Sequence, residues 1–324
     1  MTELRHLAGC LLLLLAAAPL PAVAEPQDAA PGAQEAIGWR LFFDARLSRN
    51  GNVACATCHD PQHGWSDGQR FSQGTHGDTL ARNTPGILHL GKSSLFFWDG
   101  RASSLEEQAM GPMTHPQEMG MSLDEVVQRV RDDADYRKAF ARLGTPEPGI
   151  DDIVAALAAF QRGLRGGENA YDRWLLGDTK ALDRSQSNGR FLFFTRAQCA
   201  TCHIGEDFSD HRLHNIGTGT PEDTGRHQVT GLEEDKGRFK TPSLRNWKGG
   251  EPFMHDGRFA TIAEVIDFYA DPPPPLVGKS ELDPLGLSER DKRDLLAFME
   301  ALNGAPPDLA PFEAAWQALL APGD

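Results

Sequence analysis

Apolar residues in this chain gather into short clusters separated by polar, glycine-rich or proline-rich stretches. The first cluster, Leu11-Leu12-Leu13-Leu14-Leu15-Ala16-Ala17-Ala18, follows Arg5 and His6 and precedes Ala22-Val23-Ala24. A short basic region, an apolar run and a small-x-small triplet, in that order, form the layout of a secretory signal cleaved after Ala24; the run is too short to span a bilayer. Leu7-Ala8-Gly9-Cys10 resembles a lipoprotein processing box, but its apolar run follows it instead of preceding it. Further along, Leu41-Phe42-Phe43, Ile153 to Phe160 and Leu192-Phe193-Phe194 read as helix segments. Helical stretches open at Leu105 and Ile262, the second ending at Asp267-Phe268-Tyr269, and a C-terminal helix is predicted from Ser288 to Leu302. Pro272-Pro273-Pro274-Pro275 is a stiff extended segment that stops the helix before it. The pattern predicts a mainly α chain.

The clusters also repeat. Leu41-Phe42-Phe43 is answered by Leu192-Phe193-Phe194, a Thr-Pro turn at Thr84-Pro85 by Thr241-Pro242, and Asp99-Gly100-Arg101 by Asp256-Gly257-Arg258. The interval from Thr to Asp is fifteen residues both times (84 to 99 and 241 to 256), and an apolar residue, Leu105 or Ile262, follows each Arg by four. Matching at one register across these points predicts an internal duplication. The break is placed near Gly163-Leu164-Arg165-Gly166-Gly167, which divides the chain into a signal (1–24), an N-terminal domain (25–166) and a C-terminal domain (167–324).

Cysteines give the repeat its chemistry. Signal removal would take away Cys10, leaving Cys55-Ala56-Thr57-Cys58-His59 and Cys199-Ala200-Thr201-Cys202-His203. C-x-x-C-H is the c-type haem attachment signature: two thiols reach the vinyl groups of one porphyrin while the next residue offers an imidazole to the iron, here His59 and His203. In an exported chain disulfides are the other default. A zinc module usually holds its two Cys pairs tens of residues apart, whereas these begin at 55 and 199, and a thioredoxin-like pair needs one copy and no trailing histidine. The expected fold is therefore two cytochrome c-like haem domains.

The 324 residues have 40% hydrophobic content and carry 32 Lys plus Arg against 46 Asp plus Glu, a formal charge of −14. That is ordinary globular composition at about two-domain length. So acidic a surface repels phosphate backbones, which argues against nucleic acid and for a basic protein or a small neutral substrate.

The repeat register also compares the faces of the two irons that lie opposite His59 and His203. Tyr269 lies thirteen residues after Asp256, and the same offset from Asp99 lands on Pro112. Proline has no ligand atom, so the second iron can be closed by a phenolate while the first stays open to peroxide. Tyr269 has a plain packing reading at a helix end, and Met254 competes with it as ligand. Near Pro112 stand Gln108 and Glu118, the latter alone among Met110 to Met121 as an acid; a desolvated carboxyl there would have its pKa raised and could carry a proton. Trp98, where the second half has His255, is a candidate stepping stone between porphyrins. His63, His89, His115, His211, His214 and His227 read as surface or pocket-lining residues.

These residues resemble the bacterial di-haem cytochrome c peroxidase and MauG superfamily over essentially the whole mature length. The resemblance rests on Leu41-Phe42-Phe43-Asp44 through the first haem motif, Arg82-Asn83-Thr84-Pro85, Phe97-Trp98-Asp99-Gly100-Arg101-Ala102, Gln108 through Glu118-Met119, Phe239-Lys240-Thr241-Pro242-Ser243-Leu244-Arg245-Asn246 and His255-Asp256-Gly257. It implies a peroxidatic first haem with Gln108, Pro112 and Glu118 in its pocket, Trp98 between the haems, and a calcium held by Asn83 and the carbonyls of Gly250 and Pro252. It further implies a periplasmic location, hydrogen peroxide as acceptor, a small redox protein or a protein substrate as partner, and no stable membrane insertion. Tyr269 falls where MauG has a tyrosine and typical peroxidases a methionine. The removable histidine ligand of typical peroxidases falls on Thr75, one residue from His76. Where MauG has a surface tryptophan before its second motif, this chain has Ala197. A di-haem electron carrier with both irons six-coordinate is the rival of another class.

Overall fold

The computed structural model describes residues 30–322; the segment read as a signal, with Cys10, lies outside the described residues. Twelve α-helices occur among the described residues: α1 (Ala33–Phe42), α2 (Cys55–Cys58), α3 (Leu105–Thr114), α4 (Leu123–Asp132), α5 (Ala134–Arg142), α6 (Ile150–Gly163), α7 (Ala170–Leu175), α8 (Arg184–Phe194), α9 (His227–Thr230), α10 (Ile262–Ala270), α11 (Glu289–Glu300) and α12 (Ala310–Leu320). One small antiparallel sheet pairs β1 (Leu213–His214) with β2 (Phe239–Lys240), Leu213 opposite Lys240. The chain is thus mainly helical, and none of the described helices is long and apolar enough to cross a membrane. Polar caps explain where the pocket helices start: Ser104 and Thr261 accept hydrogen bonds from the N–H groups of Glu107 and Glu264 at 3.0 and 3.2 Å. α10 ends at Ala270, just before the four prolines.

Two apolar clusters organise the helices. In the first, α1 crosses α6 at Gly38, where a Cβ would lie 1.9 Å from the Ala156 carbonyl oxygen. In the second, α8 crosses α11 at Gly189, where a Cβ would lie 1.8 Å from that of Asp294. Only glycine lets the backbones come so close, and each crossing then packs a phenylalanine pair, Phe42 with Phe160 (5.2 Å between ring centroids) and Phe193 with Phe298 (5.4 Å).

The last helix departs from the division drawn on the sequence. α12 lies inside 167–324, yet it packs on the first cluster: Trp316 is buried against Tyr136 at 5.5 Å and Phe312 meets Phe160 at 5.2 Å. The irregular Pro306-Pro307 stretch carries the chain back. The reason is local chemistry, since Phe312 and Trp316 are four residues apart and share one face of a helix that the first cluster can bury.

Backbone pairing ties the halves together. Asn83 N–H donates to the His255 carbonyl, and Lys240 N–H donates to the Trp98 carbonyl, both at 2.7 Å. Asn83 and Lys240 directly precede the two Thr-Pro turns, while Trp98 and His255 directly precede the two Asp-Gly-Arg turns. Each Thr-Pro segment is therefore bonded to the turn of the opposite half.

Candidate functional site

Both haem motifs open into one cavity of about 1000 Å³, at the upper end of what a single small ligand needs. Cys55 and Cys58 lie on α2; Cys199 begins a single tight turn, with Cys202 following it. All four thiols are free, and burial pushes Cys55 and Cys199 up to about 12 and Cys58 up to about 11. Among the described residues the four thiols do not converge on one point as a four-cysteine zinc centre would require. Among the described residues the one convergent set of three metal-ligating groups is Cys202, Asp210 and His214, and haem attachment at Cys202 would remove its sulfur from that set.

The two imidazoles are held alike. His59 Nδ1 lies 3.1 Å from the Trp65 carbonyl oxygen, and His203 Nδ1 lies 2.9 Å from that of Phe208. A carbonyl can only accept, so each Nδ1 carries the proton and each Nε2 keeps its lone pair for a metal. Trp65 and Phe208 reach back to the rings by adopting left-handed backbone, φ +63° and +50°, a costly conformation for aromatic residues. Burial drives both histidines down, His203 to about 4, which keeps them neutral. Paired thiols, an oriented neutral imidazole and an apolar cavity fit a covalently bound haem at each motif.

On the first motif's side, α3 and the turn after it bring Gln108, Pro112, His115, Gln117 and Glu118 to the cavity wall. The turn is pinned: Met119 N–H donates to the Pro112 carbonyl (3.1 Å), Glu118 N–H to that of His115 (2.9 Å), and Thr75 N–H to that of Glu118 (2.7 Å). Gly74 presses so close that a Cβ would sit 1.6 Å from the Gln117 carbonyl oxygen. Burial raises the Glu118 carboxyl above its ordinary range, opposed by the positive charges of His115 and Arg101. Thr75 is buried and held by Asn50 and Asn52, whereas His76 is exposed and lies beside Asn50, away from the residues that line the cavity.

On the second motif's side, α10 brings Val265 and Tyr269 to the wall, with Met254 also on it. Burial raises the Tyr269 phenol, and the nearby Cys199 and Cys202 sulfurs add to the shift. Ala197 is buried, not a surface residue.

Between the two sides, Trp98 Nε1–H donates to the Asn83 carbonyl at 2.8 Å, and its ring lies 6.4 Å from that of His255. Asn83, Gly250 and Pro252 share the cavity wall. The Asn83 amide nitrogen is committed to the Gln69 carbonyl at 2.9 Å, which leaves its oxygen as the end suited to a cation.

Sequence reasoning missed several groups here. Arg82 forks onto Asp223 (2.7 Å through both Nε and Nη2) and also holds Asp99 (2.6 Å), joining residues 141 apart in the chain. Lys240 is half-buried, and desolvation pulls it down to about 8. His255 stacks on Phe239 at 3.6 Å with its Nε2 buried and unpartnered. His214, read as surface or lining, is clasped by Asp210 at 2.8 Å and Glu281 at 2.6 Å. The one available signal was repeat position, since Lys240 stands where the first half has Asn83.

Comparison with known proteins agrees with this chemistry. The model of the family described as di-haem cytochrome c peroxidase matches residues 32–180. Over 278 residues the chain is 44% identical to the methylamine utilization protein MauG of Methylorubrum extorquens, covering 84% of this chain and 78% of that one. It is 35% identical over 326 residues to the cytochrome-c peroxidase IdrP1 of a Pseudomonas species, covering 90% and 86%. Among solved structures, a MauG-like protein associated with microbial copper homeostasis superposes with a TM-score of 0.78 at 32% identity, over 88% of this chain and 95% of that one.

Proposed function

The chain belongs to the di-haem cytochrome c peroxidase family of oxidoreductases, and on that premise we propose that it is an exported, periplasmic enzyme that reduces hydrogen peroxide in the His59 pocket and draws electrons through the His203 pocket from a protein donor. The observation that carries this reading is the asymmetry of the two walls: Pro112, Gln108 and Glu118 face one motif, Tyr269 and Val265 the other. The haems, when bound, supply an iron that takes peroxide and a second that relays electrons.

The chain's own groups do the rest. His59 and His203 would hold the irons through Nε2. The Glu118 carboxylate takes the proton from the oxygen of peroxide that binds and returns it to the oxygen that leaves as water, while Gln108 orients peroxide by hydrogen bonding. The overall balance is one peroxide, two protons and two electrons to two waters. Pro112 offers no ligand and leaves room, whereas Tyr269 closes its side. Trp98, anchored on Asn83 and next to His255, lies on the route between pockets. A calcium ion at Asn83, Gly250 and Pro252 belongs to the same proposal.

Two haem domains related by duplication, 25–166 and 167–324, underlie it. Supporting this, a shift of 157 residues relates the bridges Phe96–Ala102 and Phe253–Phe259 and the left-handed Phe97 and Met254. Ser66 Oγ–H donates to the Thr84 carbonyl as Ser209 Oγ–H does to that of Thr241, both at 2.8 Å.

A second reading, oxidation of a side chain on a partner protein, is favoured by Tyr269 and by the 44% identity to a MauG. The test is an electronic and EPR spectrum of the ferric protein with a steady-state assay on reduced cytochrome c. One high-spin haem that reacts with peroxide is expected; two low-spin, inert haems would leave only an electron carrier. Fast turnover of cytochrome c selects the peroxidase, and slow turnover with a long-lived oxidised state selects the protein substrate.

A further inference from the structure

The two protons that complete the second water come from solvent in each turnover, yet Glu118, the group that carries protons in this pocket, is only 25% exposed and lies in a pinned turn. The groups that face it come from four elements. From α2 come the Cys55 and Cys58 sulfurs, which haem attachment removes as titratable groups. From the Asp-Gly-Arg turn comes Arg101, ion-paired to Asp99 at 2.9 Å and stacked on Phe97, and a guanidinium keeps its protons. The segments bonded to the back of this turn carry Arg49, paired with Glu125, and the exposed His76, which lies beside Asn50 and away from the cavity. The remaining group is His115, on the same turn.

His115 Nδ1 lies 3.8 Å from Glu118 Oε1, and its side chain is 47% exposed while also lining the cavity. That separation is too long for a direct hydrogen bond and short enough for one rotamer change or one bridging water. The backbone holds the pair in register: His115 caps α3 through its N–H to the Gly111 carbonyl (2.9 Å), and its own carbonyl accepts from the N–H groups of Glu118 and Gly120 (2.9 and 3.0 Å). We infer that His115 is the proton relay of the first pocket, passing protons between solvent and the Glu118 carboxyl during peroxide reduction. In each transfer the N–H bond at Nδ1 of the protonated ring breaks as the O–H bond at Oε1 forms, and the ring recovers its Nδ1 proton from a hydronium ion of the solvent. His115 acts through Glu118 and is a positioning and relay residue, not a catalytic one. This rests on the peroxidase reading above.

The test uses the di-haem protein with His115→Asn, Glu118→Gln and the double variant. His115→Asn is expected to lower kcat about tenfold with KM for peroxide unchanged, and added imidazole restores it. Glu118→Gln is lower still and indifferent to imidazole, and the double variant is no worse than Glu118→Gln, as groups acting in series require. An independent readout is the Glu118 carboxyl stretch in infrared difference spectra, assigned by Glu118→Gln. Its pH midpoint rises in His115→Asn because a positive charge is lost. Wild-type activity with an unchanged His115→Asn rate and midpoint overturns the relay alone, and so does a loss that imidazole fails to rescue. Wild-type protein inert to peroxide overturns the peroxidase reading and the relay together.

Discussion

The two haem pockets are built to one plan and lined with opposite chemistry. At positions 157 residues apart, Gln108 corresponds to Val265 and Pro112 to Tyr269, all four on the cavity wall, while Glu118 corresponds to Pro275, which is not on it. On the proposed reading the first side offers an amide, a residue without a ligand atom and a carboxyl, whereas the second offers an apolar branch and a phenol. Meanwhile the supports agree: Nδ1 to a left-handed aromatic carbonyl, a serine on the Thr-Pro carbonyl, a capped helix over the cavity. The supports suit a haem at either motif, and on the proposed reading Gln108, Pro112 and Glu118 would set what the first one does.

That comparison can be broken in graded steps. Glu118→Gln leaves the pocket's shape and removes its proton carrier; peroxide reduction is expected to fall by about 10²–10⁴-fold, with the second haem's spectrum unchanged. Tyr269→Phe should make the second pocket resemble the first, and EPR of the ferric protein then shows two high-spin haems in place of one; an unchanged spectrum would remove Tyr269 as the closing group. Trp316→Ala empties the site between α12 and the first cluster and should cost about 3–5 kcal/mol, read by thermal melting. The first haem's band should shift before the second's.

Gly74→Ala pushes on the Gln117 carbonyl, costing about 1–3 kcal/mol, and lowers the peroxide rate as well because Glu118 moves. The smallest effect is the pH dependence. Because burial raises the Glu118 pKa, the carboxylate able to take the first proton disappears as pH falls through that raised value, so the peroxide rate declines there and Glu118→Gln flattens the profile. For stability the sign is opposite. The folded state favours the neutral acid, so this group's contribution is present below the ordinary carboxyl pKa and lost as pH rises through the raised one.

Much of the site was legible in the chain because haem attachment is written locally. Five consecutive residues carry two thiols and an imidazole, and helix starts at Leu105 and Ile262 are announced by Ser104 and Thr261 one residue earlier. Glu118 stood out as the one acid in a methionine-rich stretch, and the repeat register brought Pro112 and Tyr269 into comparison. What escaped was every feature made by partners far apart. Arg82 reads as an ordinary charge until Asp223 arrives from the other half, and Lys240 as a surface lysine until β2 sets it, half-buried, on the cavity wall. His115 is one of several unassigned histidines until the turn sets it beside Glu118.

The sequence by itself determined which atoms can hold two haems, that the two haem motifs are followed by matching Thr-Pro and Asp-Gly-Arg segments at one spacing, and that Pro112 stands in that register where Tyr269 does, since each is a matter of residue type and spacing. Only the tertiary structure decided which carbonyls orient His59 and His203, that α12 returns to close the first cluster, and that each Thr-Pro segment bonds to the opposite half's turn. Those outcomes depend on surfaces that exist only after the helices pack, and on backbone groups whose partners lie as many as 172 residues away (83 to 255).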